Sequence, residues 1–528
     1  VTKQTFLHGT LILVGAGFVT KVLGFVYRIA LSRMIGDEGI GLFQMAFPIL
    51  IFAITITTAG LPVAISKLVS EAEAMKDEQR VRSTLIISII IVFISSVLIT
   101  GLILLAAPWI AHTLLTDARA IYPLMGIAPV LPIVAVSSIF RGYFQGRQHM
   151  SPFAWSLVVE QVVRIFTVLL LARWLYPYGL QYAAAGAMVG VLLGEGAGMF
   201  FLFHSYRKDP KRPPLKFKIR EAFHINLWSR FSTVIQRLMR IAIPVTTSRM
   251  IGSLGYAVEP IVVSQSLAIA GISVAASTAL YGQLEGMAIP LLFFPAFITT
   301  ALSTSLVPAV SEAAAQGKYG IVEHRLNQSL RLSLVVGAPC AMMMYILAEP
   351  LTTLLYHNAS VSRLLEIMAP FAIFLYIQGP LAAVLQGLDK ARDAMRNSIF
   401  GAIVKTALIF FLGSQPQLGI DGVVIALNCG LVLVTALHFI SVMRYVPFTL
   451  IARDTVKLTL AVASMGAAGW WGLKHAYITG SLPARTLLSS GISFTIYLAL
   501  LILLSLIKKE DIRRVPYIGK WLSPLLPR

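Results

Sequence analysis

The chain has 528 residues, 57% of them apolar and only 12% charged, and carries a formal net charge of +20. With a mean hydropathy of +0.80, this composition excludes an ordinary soluble globule and specifies a polytopic membrane protein. Such a charge on a soluble chain would point to nucleic acid, so its distribution along the sequence has to be read first.

The first apolar segment, from Gly9 to Gly36, reads as a membrane helix although it holds Lys21, Arg28 and Arg33. It is too long, and too charged in its middle, for a cleaved leader, and is expected to be retained. A cation near the bilayer centre costs about 2.5–3.5 kcal/mol, so several in one helix are expected to face protein or water. Lys21 and Arg28 are seven residues apart, which places them on one helical face. Gly17 and Gly24 flank that face and leave room beside it.

Runs of about 20 apolar residues give fourteen spans: 9–35, 43–66, 84–107, 121–143, 153–176, 183–205, 236–257, 287–310, 328–349, 366–387, 396–413, 420–442, 455–475 and 486–507. Of the 43 Lys and Arg, 32 fall at the termini and in the loops after even-numbered spans, and seven fall at the opposite ends. By the positive-inside rule both termini are cytoplasmic. Topology thus accounts for most of the charge, and no nucleic-acid partner is needed. The longest cytoplasmic connection, 207–235, carries Lys211-Arg-Pro-Pro214 followed by Phe223, Leu227, Trp228 and Phe231. It is expected to be a basic amphipathic linker on the inner leaflet.

Ser32-Arg-Met-Ile-Gly36 recurs as Ser248-Arg-Met-Ile-Gly252. Beyond it, matches recur at an offset of 240–242: Thr57-Thr-Ala59 with Thr299-Thr-Ala301, Ser70-Glu-Ala72 with Ser311-Glu-Ala313, and Gln145-Gly146 with Gln386-Gly387. Arg164 likewise falls on Lys405. Several ordered matches at one offset imply two parallel six-helix repeats plus two appended helices, with an insertion near 257–281 in the second copy. The domains are therefore 1–206 (first lobe), 207–235 (linker), 236–443 (second lobe) and 444–528 (two further helices and a basic tail). Pro48, Pro62, Pro290, Pro295 and Pro308 mark bends that serve motion or are static kinks. Gly186, Gly190, Gly194 and Gly198 form a small-residue ridge for close helix packing.

Signatures of soluble enzymes, of metal sites and of Cys-x-x-Cys chemistry are absent from the sequence, so no catalytic residue, metal or cofactor is expected. Cys340 and Cys429 read as buried small hydrophobes. What remains is electrostatic: Lys21, Arg28, Arg33, Arg164, Arg249 and Lys405 as the lining of a cationic cavity suited to a diphosphate. Glu160 and Glu195 are intramembrane acids, and Glu160 lies one helical turn from Arg164, so the two either neutralise each other or contribute to coupling. Arg141, Gln145 and Gln386 fall at matched cytoplasmic turns, as a gate or as a constraint on the turn.

Lys21-x-x-Gly24, Gly60-Leu-Pro-Val-Ala-Ile-Ser-Lys67, Arg141-Gly-Tyr-Phe-Gln-Gly146 and Ser305-Leu-Val-Pro-Ala-Val-Ser-Glu-Ala313, on fourteen spans, resemble the multidrug/oligosaccharidyl-lipid/polysaccharide exporter superfamily, close to its lipid II flippases. The resemblance covers nearly the whole chain. It implies a bacterial cytoplasmic-membrane flippase moving an undecaprenyl-diphosphate-linked glycan or peptidoglycan precursor, in spore cortex synthesis, with membrane lipids and cell-wall synthesis enzymes as partners. In the flippases helix one carries a pattern like Arg-x-x-Gly-x-x-Arg-Asp. Here Lys21 takes the first place, and Tyr27 and Arg28 occupy the last two, so the second cation is shifted by one residue and the acid is missing. A drug or cation exporter of the same fold, a scaffold for cell-wall enzymes and an intramembrane transferase are the competing readings.

Overall fold

The computed structural model describes residues 6–58, 60–210, 212–214, 225–447, 452–475 and 481–506. Among them the chain is helical throughout, without strands. Its helices are α1 (Phe6–Thr58), α2 (Leu61–Ala74), α3 (Glu78–Trp109), α4 (Ile121–Ile127), α5 (Val130–Gly146), α6 (Met150–Leu175) and α7 (Leu180–Lys208). These are followed by α8 (Ile225–Ile269), α9 (Val274–Tyr281), a π-helical turn at Gly282–Ala288, α10 (Ile289–Phe293) and α11 (Ala296–Ala315). The remainder comprises α12 (Tyr319–Ile346), α13 (Ala348–Tyr356), α14 (Val361–Met368), α15 (Ala372–Gly387), α16 (Ala391–Gly413), α17 (Ile420–Met443), α18 (Ala452–His475) and α19 (Leu482–Leu503). The side chains of Leu227, Trp228 and Phe231, the residue Phe223 and the tail beyond 506 lie outside the described residues.

Ten of these helices are long and apolar enough to cross a membrane, or eleven if the bent pair Val274–Phe293 and Ala296–Ala315 is one span. The difference from fourteen has local causes. The first two expected spans form one element: α1 runs through position 36 with a single interruption, Gly36 at φ 69° and ψ −176°. That conformation lies outside the helical region and is open to glycine because it has no Cβ. Asp37 then starts the next helical stretch, its carboxylate accepting from the Glu38 N–H at 2.9 Å. The expected spans at 236–257 and 455–475 are helical, but Arg237, Arg240, Arg249 and Glu259 dilute α8, and Arg453, Asp454, Lys457 and Lys474 dilute α18. Pro62 opens α2 beside Gly60, Pro295 sits at the 56° bend before α11, and Pro48 and Pro308 lie inside helices. The expected insertion is absorbed by extending α8 to Ile269 and adding α9 after a turn at Gly271, whose φ is 82°.

The chain divides into two units, Val1–Gly286 with Gly413–Ile420, and Met287–Leu412 with Asp421–Arg528. Each has its own core, and the cores repeat. Ile65, Val69, Ala72, Val81, Leu85, Tyr143 and Phe144 are buried together in the first unit, and Leu306, Val310, Ala313, Val322, Leu326, Val384 and Leu385, each 241 residues on, are buried together in the second. The backbone repeats as well. Lys76 and Gly317, Thr116 and His357, and Gln148 and Asp389 have positive φ at that same spacing. A Cβ on Gly146 would meet Ser66 O at 2.6 Å, and one on Gly387 would meet Val307 O at 2.9 Å, again the same contact 241 residues on. Short apolar matches in sequence thus mark identical packing rather than coincidence.

The glycine ridge on α7 faces α6. A Cβ at Gly190 would lie 2.5 Å from the Val168 backbone and one at Gly194 would lie 2.6 Å from the Arg164 Cβ. Only glycine permits this approach, and it brings two charged helices together where lipid would otherwise fill the gap.

Candidate functional site

On α1, Lys21 and Arg33 are exposed, Arg28 is half-buried and Tyr27 is buried. Gly24 leaves a gap into which the Gln161 side-chain amide of α6 projects; a Cβ there would stand 3.6 Å from its Nε2. The cationic face expected at positions 21 and 28 is therefore adjoined by α6, with Arg249 exposed on α8 of the same unit.

Arg141, Glu160, Arg164 and Glu195 are drawn into one cluster. Arg164 reaches Glu160 at 2.5 Å and Glu195 at 2.7 Å, while Arg141 reaches Glu160 at 2.8 Å and Glu195 at 3.6 Å. Their side chains are 9–21% exposed. Two cations and two acids from α5, α6 and α7 thus balance inside the unit, which is how buried charge is tolerated. Lys405, in the second unit, sits beneath Gly430 much as Arg164 sits beneath Gly194, with 3.0 Å from the glycine's would-be Cβ to the Lys405 Cβ. Gln145 and Gln386 are exposed at the ends of α5 and α15, and their carbonyls accept from the N–H groups of Gln148 and Asp389 at 3.0 and 3.1 Å. Both belong to the turn that ends the helix.

Two acids escaped the sequence reading. Glu259 on α8 and Glu285 on the π-helical turn are 6% and 7% exposed. The expected spans stop at 257 and restart at 287, so a hydropathy window trims away the very residues that carry charge; their signal was a carboxylate two residues outside each edge of an apolar run.

Beyond Gly36, α1 crosses α9 at backbone contact. A Cβ on Gly41 would lie 1.9 Å from Thr278 O, and one on Gly282 would lie 2.0 Å from Asp37 O. Gln44 Nε2 donates to the Glu285 carbonyl at 3.0 Å, and Gln283 Nε2 to Asp37 at 2.7 Å. Gly41 with Gly282, Gln44 with Glu285 and Asp37 with Thr278 are each 241 residues apart, so equivalent positions of the two repeats meet here. Thr278 also donates to Asp117 at 2.7 Å; Asp117 binds Arg119 at 2.9 Å and Arg119 binds Glu38 at 2.7 Å. Burial pushes the Asp117 carboxyl up, but the hydrogen bonds from Arg119 and Thr278 outweigh it and hold the group below its usual range. Asp117 is therefore ionised throughout the neutral range and, through Arg119, links Thr278 of α9 to Glu38 of α1 as a latch. No group of three or more metal-ligating side chains occurs among the described residues.

Residues 6–314 match a family model described as polysaccharide biosynthesis protein, and residues 285–411 match one described as MatE. The stage V sporulation protein B of Bacillus subtilis (strain 168) is 45% identical over 523 residues, covering 98% of this chain and 99% of that protein. Lipid II flippase MurJ of the same organism is 26% identical, over 97% of this chain and 98% of that one. A solved structure of lipid II flippase MurJ in an inward closed conformation shares the fold, with a TM-score of 0.68 at 15% identity over 96% of this chain and all of that one. The many apolar helices and these relatives mark a multi-pass bacterial membrane protein.

Proposed function

As the chain belongs to the polysaccharide biosynthesis protein family, we propose that it is an alternating-access flippase for an anionic, diphosphate-linked lipid glycan. The observation that carries this reading is the pair Lys21 and Arg28 on one face of α1, with glycine beside them, in a helix that otherwise suits lipid. The names of the relatives, a sporulation protein and a lipid II flippase, support an undecaprenyl-diphosphate-linked precursor for the spore cortex. Arg249 then adds positive charge from the second repeat, and the lipid tail stays in the bilayer.

In this reading fourteen spans leave both termini in the cytoplasm, and the repeats form lobes at 1–206 and 236–443. The exposed aromatics Trp109, Trp174, Tyr176, Trp470 and Trp471 at one set of helix ends, and Trp155 and Tyr319 at the other, suit the two membrane interfaces, where such rings are favoured on both sides. The Gly41–Gly282 crossing then lies on the outer side.

Purified protein in liposomes tests the reading with a fluorescent polyprenyl diphosphate. A hydrogen bond to a charged group is worth about 1.5–3 kcal/mol, so Lys21→Ala with Arg28→Ala is expected to slow flipping more than about tenfold while insertion is unchanged. Wild-type rates in that variant sink the proposal. Glu259 and Glu285 favour a second reading, export of an organic cation, because buried acids suit positive solutes. In that case a lipophilic cation, and not a diphosphate, is transported and competes with itself.

A further inference from the structure

Lys21, Gly24 and Arg28 follow one stripe of α1: at 3.6 residues per turn Gly24 stands about 60° from Lys21 and about 40° from Arg28 around the axis. Gly24 also lies between the two cations along the helix. Opposite it, on α6, Gln161 is 6% exposed. Its Nε2 would stand 3.6 Å from a Cβ on Gly24 and has no hydrogen-bond partner among the described residues. An amide donor buried without an acceptor is costly, and folded proteins keep few of them. One turn further along α6, Arg164 Nε is likewise a buried donor without a partner, as is Arg141 Nε on α5. The buried acceptor Glu195 Oε2 is faced by Arg141 at 3.6 Å. Donors are therefore in surplus on these helices, which suits a ligand made of acceptor oxygens.

Packing does not account for the amide. The two repeats keep the residues that their packing needs, as at Gly146 and Gly387, yet the position 241 residues beyond Gln161 is Ala402. The equivalent helix of the second repeat thus folds without an amide there. We propose that Gln161 is a third donor to the bound diphosphate, reaching its oxygens through the gap at Gly24 while Lys21 and Arg28 hold its charge from either side. This rests on the reading of Lys21 and Arg28 as the diphosphate-binding cations. The amide is already desolvated in the empty protein and gains its acceptor only with the ligand, so the donor is preorganised for binding. It also supplies what two cations alone do not. Charge attracts any anion, whereas a fixed neutral donor between two charges favours one whose oxygens run along the stripe.

The test is binding of farnesyl diphosphate, with inorganic diphosphate in parallel, to the full-length protein in detergent at fixed ionic strength, beside thermal unfolding of the empty protein. Gln161→Leu removes the amide and nearly keeps its bulk, so binding of both ligands is expected to weaken about tenfold, the scale of one hydrogen bond to a charged group. The Tm of the empty variant is expected to stay level or rise, because an unpaired buried amide is gone. Gln161→Glu is expected to bind more weakly than Gln161→Leu, since a carboxylate repels the diphosphate where the amide donates to it. Gly24→Ala places a methyl in ordinary contact with Nε2 and is expected to weaken binding without lowering the Tm. Wild-type binding in Gln161→Leu overturns the proposal. So does a loss confined to the farnesyl ligand, tighter binding in Gln161→Glu than in Gln161→Leu, or unchanged binding in folded Gly24→Ala. A lower Tm in Gln161→Leu marks a packing role and overturns it too. Weaker binding in Lys21→Ala with Arg28→Ala, beside wild-type binding in Gln161→Leu, removes the role of Gln161 alone, whereas wild-type binding in that double variant removes the function reading as well.

Discussion

Arg164→Leu is expected to lower the stability of the protein by about 3–5 kcal/mol, the cost of leaving a buried ion group without one partner. Arg164 binds both Glu160 and Glu195, and its loss leaves two carboxylates sharing Arg141 alone. Water cannot easily compensate, because Gly194 and Gly198 seat α7 directly on the α6 backbone around these residues. Since whole domains are stable by only about 5–15 kcal/mol, the variant is expected to show a lower Tm and a poor yield of monodisperse protein in detergent. Arg164→Leu with Glu195→Leu restores the balance of one cation and one acid and is expected to recover most of the loss. Wild-type stability of the single variant, measured by thermal unfolding, rejects a charge-balancing role for the cluster. Loss of transport in an Arg164 variant has to be read against this control, because unfolding and lost substrate contact give the same transport assay.

How far the residues alone reveal this molecule depends on which physical signal carries each feature. The repeat is legible because packing at Gly146 and Gly387, and the turns at Gln148 and Asp389, demand the same small or turn-forming residues in each copy. Arg164 and Glu160 are legible as a pair from helical spacing. Glu195 and Arg141 are not, since their meeting depends on how α5 and α7 lie against α6. The direct passage of α1 through Gly36 is also hidden: the polar run Gly36-Asp-Glu-Gly39 reads as a loop, but one glycine with positive φ is enough to turn the chain. Glu259 and Glu285 are lost for a deeper reason. Hydropathy assigns charged residues to span ends, and a site that uses charge inside the membrane breaks that assumption where it matters most.

Gly41→Val is expected to force α1 and α9 apart. Its Cβ would stand 1.9 Å from Thr278 O, and the carbon of Thr278's own carbonyl is only 2.7 Å away. Because both are backbone atoms, no rotamer change relieves the clash, and a helix has to move; overpacking of this kind costs about 1–3 kcal/mol even where side chains can yield. The hydrogen bonds Gln283–Asp37 and Gln44–Glu285 stretch with it, and the Thr278–Asp117–Arg119–Glu38 chain loses its anchor. Thr278 is 1% exposed, so a thiol placed there reports the separation. In a background with Cys340 and Cys429 replaced, Thr278→Cys is expected to resist a membrane-impermeant maleimide, and adding Gly41→Val is expected to raise its labelling more than about tenfold, the factor that corresponds to about 1.4 kcal/mol. Gly101→Val, at a position with open space around it, serves as the control and leaves labelling low. If Gly41→Val also leaves it low in folded protein, the crossing yields without separating and is no latch. If labelling rises while farnesyl diphosphate still binds, the crossing and the cationic face of α1 are separate parts of the machine, one holding the repeats together and the other holding the anion.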